Sequence, residues 1–274
     1  MRRPLIVVVL LVILGIPAPP SQAAGQGVFS IHCSLSHSLM DDPIVLFGLP
    51  DASHLHEFFG NISTNAFSTY ADMTASGTSC KFSKDTAGYW APALVAPDGS
   101  VVHPSNMNAY YRATPAGGTF VAFPPDLRLI AGYPTVNTGT NKILGYNCQD
   151  SEPYSPVPID CTTHKKHFLK AHIDFPNCWD GVSTDSPDHR SHVVYPVLKT
   201  CPADHPYKVP HLNVNITYPV TDARGYYLVS DMDKGVTDGR SLHSDFWNTW
   251  DQAALQDLVT NCLNAGKTCL DVTG

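Results

Sequence analysis

The sequence predicts a mainly β fold, a sandwich or jelly-roll-like domain stabilised by disulfides and closed by a C-terminal α-helix. Three observations predict it. Short apolar runs bounded by Pro, Gly, Asn and Asp recur along the chain, the pattern of short strands and their turns. Prolines (23) and glycines (19) are spread throughout, charged residues are only 15%, and no repeat, coiled coil or long linker interrupts them. One segment alternates cleanly, with Leu212, Val214, Ile216 and Tyr218 apolar and polar residues between them. That alternation reads as a strand with one buried face.

Taken from the N-terminus, Arg2 and Arg3 precede an unbroken run of apolar residues and glycine from Leu5 to Ile16. Pro17 to Pro20 break it, and the small residues Ser21, Ala23 and Ala24 follow. This order predicts a secretory signal peptide over residues 1–24, cleaved after Ala23 or Ala24, and a single secreted, extracellular domain over 25–274. The apolar run spans 12 residues, against roughly 20 for a membrane-spanning helix, and no later segment is apolar enough to span a bilayer. Further strands are expected at 44–47, 119–123, 193–198 and 226–229. The Thr-, Asn-, Gly-, Pro- and Ser-rich stretch 134–161 is expected to be a long loop. Thr249 with Gln252 predicts a capping box. Leu255, Leu258, Val259, Cys262 and Leu263 then share one helical face, and Gly266 stops the helix.

Without Arg2 and Arg3 the chain keeps 15 basic against 24 acidic side chains, a net of −9 with His neutral. An acidic chain with no basic stripe argues against nucleic acid as a partner. Eight cysteines in an exported chain predict up to four disulfides. Only Cys262 and Cys269 pair by proximity; the other six allow fifteen connectivities. Asn61-Ile-Ser and Asn215-Ile-Thr are glycosylation sequons where the source modifies exported proteins.

No G-x-S-x-G elbow, P-loop or G-x-G-x-x-G occurs, and His56-Glu57 lacks the second His of a zinc-protease helix because residue 60 is Gly. The chemistry is therefore sought among 13 histidines. An extended backbone through Ser53-His-Leu-His-Glu-Phe58 places His54 and His56 on one face, and the same rule joins His243 to Asp245. If the two pairs meet, four imidazole and carboxylate groups converge. That set suits a divalent metal ion such as zinc, copper or manganese, or a metal-free acid and base. Asp180 is the second carboxylate a hydrolase would need, and His189 and His192 are candidates to complete a metal shell. His32, His37, His103, His164, His167, His172 and His211 are read as packed, hydrogen-bonded side chains.

Seven segments taken in order resemble a secreted microbial family known as a domain of unknown function, numbered nineteen ninety-six. They are Asp42-Pro-Ile-Val45, Ser53-His-Leu-His56 with Gly60, Tyr89-Trp-Ala-Pro92, Phe175-Pro-Asn-Cys-Trp-Asp-Gly181, Asp188-His-Arg-Ser-His192, Cys201-Pro with His205-Pro206, and Leu242-His-Ser-Asp-Phe246. Thr249 departs from the Gly expected before Trp250. The resemblance implies export and a single domain, in a family whose members stand beside wall-associated or carbohydrate-binding modules. The residues themselves leave two functions open. One is a carbohydrate-active hydrolase or lyase centred on His54, His56, His243 and Asp245, in which Arg190 or Arg112 would neutralise a uronate carboxylate. The other is a non-catalytic binder of a cell-wall glycan or other polysaccharide.

Overall fold

The alternating segment becomes the His211–Thr217 strand, and its inward residues Leu212, Val214 and Ile216 enter the main core. It is a central strand of a six-stranded sheet. In spatial order the members are Thr268–Cys269, Val28–Cys33, Asn106–Arg112, His211–Thr217, Leu169–Asp174 and Leu144–Cys148. All neighbours are antiparallel except Thr268–Cys269 against Val28–Cys33. A five-stranded antiparallel sheet runs Leu35–Leu39, His56–Gly60, Gly88–Pro92, His243–Trp247, Arg128–Gly132. Inward residues of both sheets, such as Ile31, Met107 and Val214 from one and Phe59, Tyr89 and Phe246 from the other, form one continuous core. This is a β-sandwich, and the computed structural model describes residues 26–115, 117–133, 143–148, 154–233 and 235–274 of it. The expected signal peptide lies outside the described residues.

The five-stranded sheet is buried on both faces. Its outer face carries Phe58, Trp90, Ile130 and Trp247, which pack with Ile44 and Met73 into a second core under the covering loops. This explains why the His56–Gly60, Gly88–Pro92 and His243–Trp247 strands are buried at every position, and read as continuous rather than alternating runs.

Several expectations need correction. Residues 44–47 form no strand, because Asp42 Oδ1 accepts the Ile44 and Val45 N–H groups at 3.0 Å and turns the chain. Residues 119–123 contribute only a bridge from Phe120 to Lys208. The 193–198 strand shrinks to Val193–Val194, since Leu198 and Lys199 adopt positive φ in a turn. The 226–229 strand is Tyr227–Leu228, after which a short helix begins. The stretch read as a loop at 134–161 contains the edge strand Leu144–Cys148; residues 134–142 and 149–153 lie outside the described residues.

The C-terminal helix occupies Gln252–Leu258 and continues as a π-helix over Val259–Asn264, with the five expected apolar residues buried. Its cap is Asp251, which accepts from the Ala253 and Ala254 N–H groups. Thr249 instead hydrogen-bonds the Thr86 carbonyl. All eight cysteines are oxidised, as Cys33–Cys80, Cys148–Cys161, Cys178–Cys201 and Cys262–Cys269. Both sequon asparagines are buried and hydrogen-bonded: Asn61 donates to the Met73 and Thr86 carbonyls, and Asn215 donates to Asn213. Among the described residues no helix is long and apolar enough to cross a membrane.

Candidate metal centre

Strand register on the outer face of the five-stranded sheet assembles the site. His56 opposes Pro92, and Asp245 opposes Trp90 and Ile130, while His243 opposes Gly132 at the start of its strand. His54 precedes the His56–Gly60 strand and still reaches the same face, as period-two alternation requires. The ring centroids of His54 and His56 are 4.4 Å apart, those of His54 and His243 5.1 Å, and those of His56 and His243 5.8 Å.

Each imidazole is anchored through Nδ1. His56 Nδ1 donates to the Asp41 carbonyl at 2.9 Å and His243 Nδ1 to the Ser241 carbonyl at 2.7 Å. His54 Nδ1 lies 3.3 Å from Asp233 Oδ2. A carbonyl only accepts, so His56 and His243 carry their proton on Nδ1 and a lone pair on Nε2. Burial drives both toward the neutral form. His243 is pushed down to about 3 by burial and then by His54, against the pull of the Ser241 carbonyl. His56 is held well below the ordinary range by burial, His54 and His243.

The Nε2 atoms of His54 and His243 face each other at 3.2 Å, and Nε2 of His56 is buried with no hydrogen-bond partner among the described residues. A tetrahedrally coordinated ion about 2.1 Å from each of two imidazole nitrogens separates them by about 3.4 Å. The spacing therefore fits a shared cation. The backbone carbonyls and carboxylate behind the rings are the outer partners that metal-binding histidines need for orientation.

Carboxylates complete the cluster. Asp245 is fully buried, and its Oδ2 finds no hydrogen-bond partner among the described residues. Burial pushes its carboxyl well above the ordinary range and the Asp42 charge adds to this, while Arg190 pulls it back. Asp42 is raised chiefly by burial, against its bonds to Val45 and Ile44. Ligand atoms of His54, His56 and His243 lie within 4.8 Å of one another, as do those of Asp42, His56 and Asp245. His56 thus belongs to both triads.

His54, His243, Asp42 and Asp245 line a cleft of about 490 Å³, and His56 lies fully buried behind them. One wall is the segment closed by Cys178–Cys201, which supplies Asp188, His189 and Arg190. His189 adopts φ 56° and its Nδ1 lies 2.9 Å from Asp185, so a carboxylate orients its ring. Arg190 lies over the Tyr133 ring at 4.4 Å.

The structure brings His54, His56, His243 and Asp245 together and places His189 on the cleft wall. It does not bring Asp180 or His192 there. Asp180 accepts the Val182 and Ser183 N–H groups in a tight turn. Both ring nitrogens of His192 are engaged, by Ser186 Oγ and the Arg128 carbonyl. Residues that sequence reasoning did not place in the site are Asp42, Asp233 and Tyr133. Asp42 stands at the head of the first of the seven ordered segments, which is the signal that could have found it; Asp233 has none.

The family model described as a domain of unknown function, DUF1996, matches residues 42–250, and the chain belongs to that family. Its span includes every residue of the cluster. No curated protein and no solved structure gives a match.

Proposed function

We propose that this member of the family is an extracellular, metal-dependent polysaccharide lyase acting on uronate-containing glycans. The single observation that carries the reading is the convergence of three Nδ1-anchored imidazoles and a buried carboxylate at the floor of a solvent-reaching cleft. A divalent ion there would supply positive charge at the bottom of the cleft and would relieve the crowding of lone pairs and carboxylates. Four disulfides fit an oxidising compartment.

Elimination fits the cleft better than hydrolysis. A glycoside hydrolase flanks the scissile bond with two available carboxyl groups, and each carboxylate lining this cleft is committed elsewhere. Asp188 accepts from Ser186, Arg190 and Ser191, Asp233 pairs with His54, and Asp42 and Asp245 sit within the cluster. A lyase needs a cation against the uronate carboxylate and a base for the neighbouring carbon acid. Arg190, braced on Tyr133, supplies a guanidinium beside the ion site. His189, held through Nδ1 by Asp185, presents Nε2 as the base. The C5 proton passes to His189, its bonding pair forms the C4–C5 double bond, and the C4–O bond breaks. The departing oxygen takes a proton from water in the open cleft.

Metal content and product formation test the reading together. The purified protein, or the protein dialysed against zinc or manganese, should hold one ion per chain and release products with the ultraviolet absorbance of an unsaturated uronate. His189→Gln should keep the ion and lose the product. A wild-type protein that takes up neither ion overturns the metal centre, whereas a loaded centre that yields no unsaturated product from any uronate glycan overturns the lyase and leaves a binder.

A further inference from the structure

We propose that the apolar surface beside the metal cleft, formed by Met40, Val45, Phe47, Leu49 and Phe67, is the face through which two copies of this chain pair. Each of these side chains is between 45% and 59% exposed. Single exposed apolar residues are ordinary on a protein surface, but a contiguous group of them marks an interaction site. Two loop segments bring the group together. The Gly48 N–H donates to the Ala66 carbonyl at 2.7 Å, which seats Phe47 and Leu49 beside Phe67. Asp41 accepts the Ala66 N–H at 2.8 Å and the Asp51 N–H at 3.0 Å, and the Ser53 N–H donates to the Met40 carbonyl at 3.0 Å.

The exposure is enforced by the bonds of the loop itself. Asp42 Oδ1 holds the Ile44 and Val45 N–H groups, and Ile44 enters the second core, while Val45, Phe47 and Leu49 are left facing solvent. The carboxylates of Asp41 and Asp42 that fix the loop are themselves buried. A surface already held in one conformation loses little further freedom on association. Gly48 stands between Phe47 and Leu49, and the space a Cβ would enter there is open. The face thus carries both projecting rings and a bare notch, the two halves that a self-complementary two-fold contact needs.

Charge and area select a second copy as the occupant. Residues 43–50 and 58–71 contain no Asp, Glu, Lys or Arg, and no Lys or Arg occurs from Gln26 to Cys80. An anionic lipid surface or an acidic partner finds no cation in these segments. The chain carries a net charge of −7, so two copies repel through their charged surfaces and approach most easily through an uncharged one. Five half-exposed side chains of about 200 Å² each amount to roughly 500 Å² of apolar surface. A standard interface buries about 800 Å² per partner, about 60% of it apolar, so the patch supplies the apolar share that a stable dimer needs. Val45 also lines the metal cleft, which puts the second copy at the cleft mouth. No candidate ligand belongs to the patch, so the pairing stands whether or not the lyase reading does.

Sedimentation velocity of the oxidised protein across micromolar concentrations tests the proposal. The wild type should sediment as a dimer. Phe47→Asp/Phe67→Asp should weaken dimerisation at least a hundredfold, because like charges then face each other across the two-fold axis, with the circular dichroism of the wild type retained. Phe47→Ser/Phe67→Ser, which adds no charge, should weaken it to a smaller degree. Leu198→Asp, at an exposed apolar turn that carries Lys199 beside it, should leave the dimer intact. A wild type that stays monomeric at every concentration, a dimer that survives in the aspartate variant, or one that dissociates in Leu198→Asp would overturn the proposal. So would a monomer that cosediments with phosphatidylcholine vesicles through Phe47 and Phe67, since the face would then belong to a lipid surface.

Discussion

Two clusters in this molecule each bury a carboxylate among polar rings, with opposite states of satisfaction. In the main core, Asp85 accepts from the Ala87 N–H and from Tyr89 Oη, Tyr89 bonds Tyr111, and the Trp250 indole N–H donates to Tyr111 at 3.1 Å. Every one of these polar atoms has a protein partner. On the outer face of the five-stranded sheet, His56 and His243 are anchored through Nδ1 to backbone carbonyls, while Nε2 of His56 and Oδ2 of Asp245 have no hydrogen-bond partner among the described residues and lie in one cluster with His54. A closed network locks the core in one arrangement. A set of anchored rings with converging lone pairs is arranged for a cation. Burial alone does not separate structural from functional polar residues, but the direction of the remaining lone pairs does.

The comparison can be broken most directly at the histidines. His56→Ala and His243→Ala should each abolish metal uptake, read by metal analysis of the oxidised, folded protein, while circular dichroism stays that of wild type. If both variants unfold and the wild type takes up no metal, the two clusters are the same kind of object.

Asp231 sharpens it next. Its fully buried carboxylate accepts the N–H groups of Leu228, Gly239 and Ser241. It thereby fixes the loop that supplies both Asp233 to His54 and the Ser241 carbonyl to His243. Asp231→Asn should lower metal affinity by about 10- to 100-fold, the usual effect of an outer-shell partner, with the ion stoichiometry preserved on titration. An unchanged affinity would show that the histidines are oriented by packing alone.

The pH dependence should follow Asp245 rather than His56 and His243. Burial pushes His243 down to about 3 and holds His56 well below 6.5, so protons compete little with the ion for these two near neutral pH. Asp245 is raised well above 3.8 and must give up its proton to become a ligand. Affinity should therefore rise with pH above 4, by at most about tenfold per pH unit for one proton released. Titration in buffers of different ionisation enthalpy reads that proton; a count of zero would remove Asp245 from the shell.

Asp85→Asn should leave the ion untouched and alter only stability. The Asp85 carboxyl is raised from 3.8 to about 8 by burial, against its bonds to Tyr89 and Ala87. A raised carboxyl contributes stability that is whole below its unfolded value and is lost as pH rises through its folded value. The variant should thus match the wild type near pH 4 and exceed it by a few kcal/mol at pH 8, seen as a gap in melting temperature that widens with pH. A gap independent of pH would mean that Asp85 is ionised throughout.

The β class, the four disulfides and the apolar face of the last helix were legible because each is a local signal. Alternation over Leu212–Tyr218, an even cysteine count and helical spacing from Leu255 to Leu263 each concern residues close in sequence or a simple count. The two halves of the site were legible for the same reason, since His54 with His56 and His243 with Asp245 are fixed by the period of an extended strand. Hidden from the sequence were the cap at Asp251, the turn at Asp42 and the edge strand at Leu144–Cys148, where side-chain bonds and sheet pairing outweigh composition. Asp180 stood as a candidate carboxylate on residue type alone, and its bonds to Val182 and Ser183 became visible only in the folded turn.

The sequence by itself determined which side chains share a face, because backbone periodicity acts over two to four residues. Only the tertiary structure decided which faces meet. The register of the His56–Gly60, Gly88–Pro92 and His243–Trp247 strands spans nearly two hundred positions and is set by core packing between two sheets. A slip of one residue in that register would turn His243 and Asp245 into the main core and leave His54 and His56 without them.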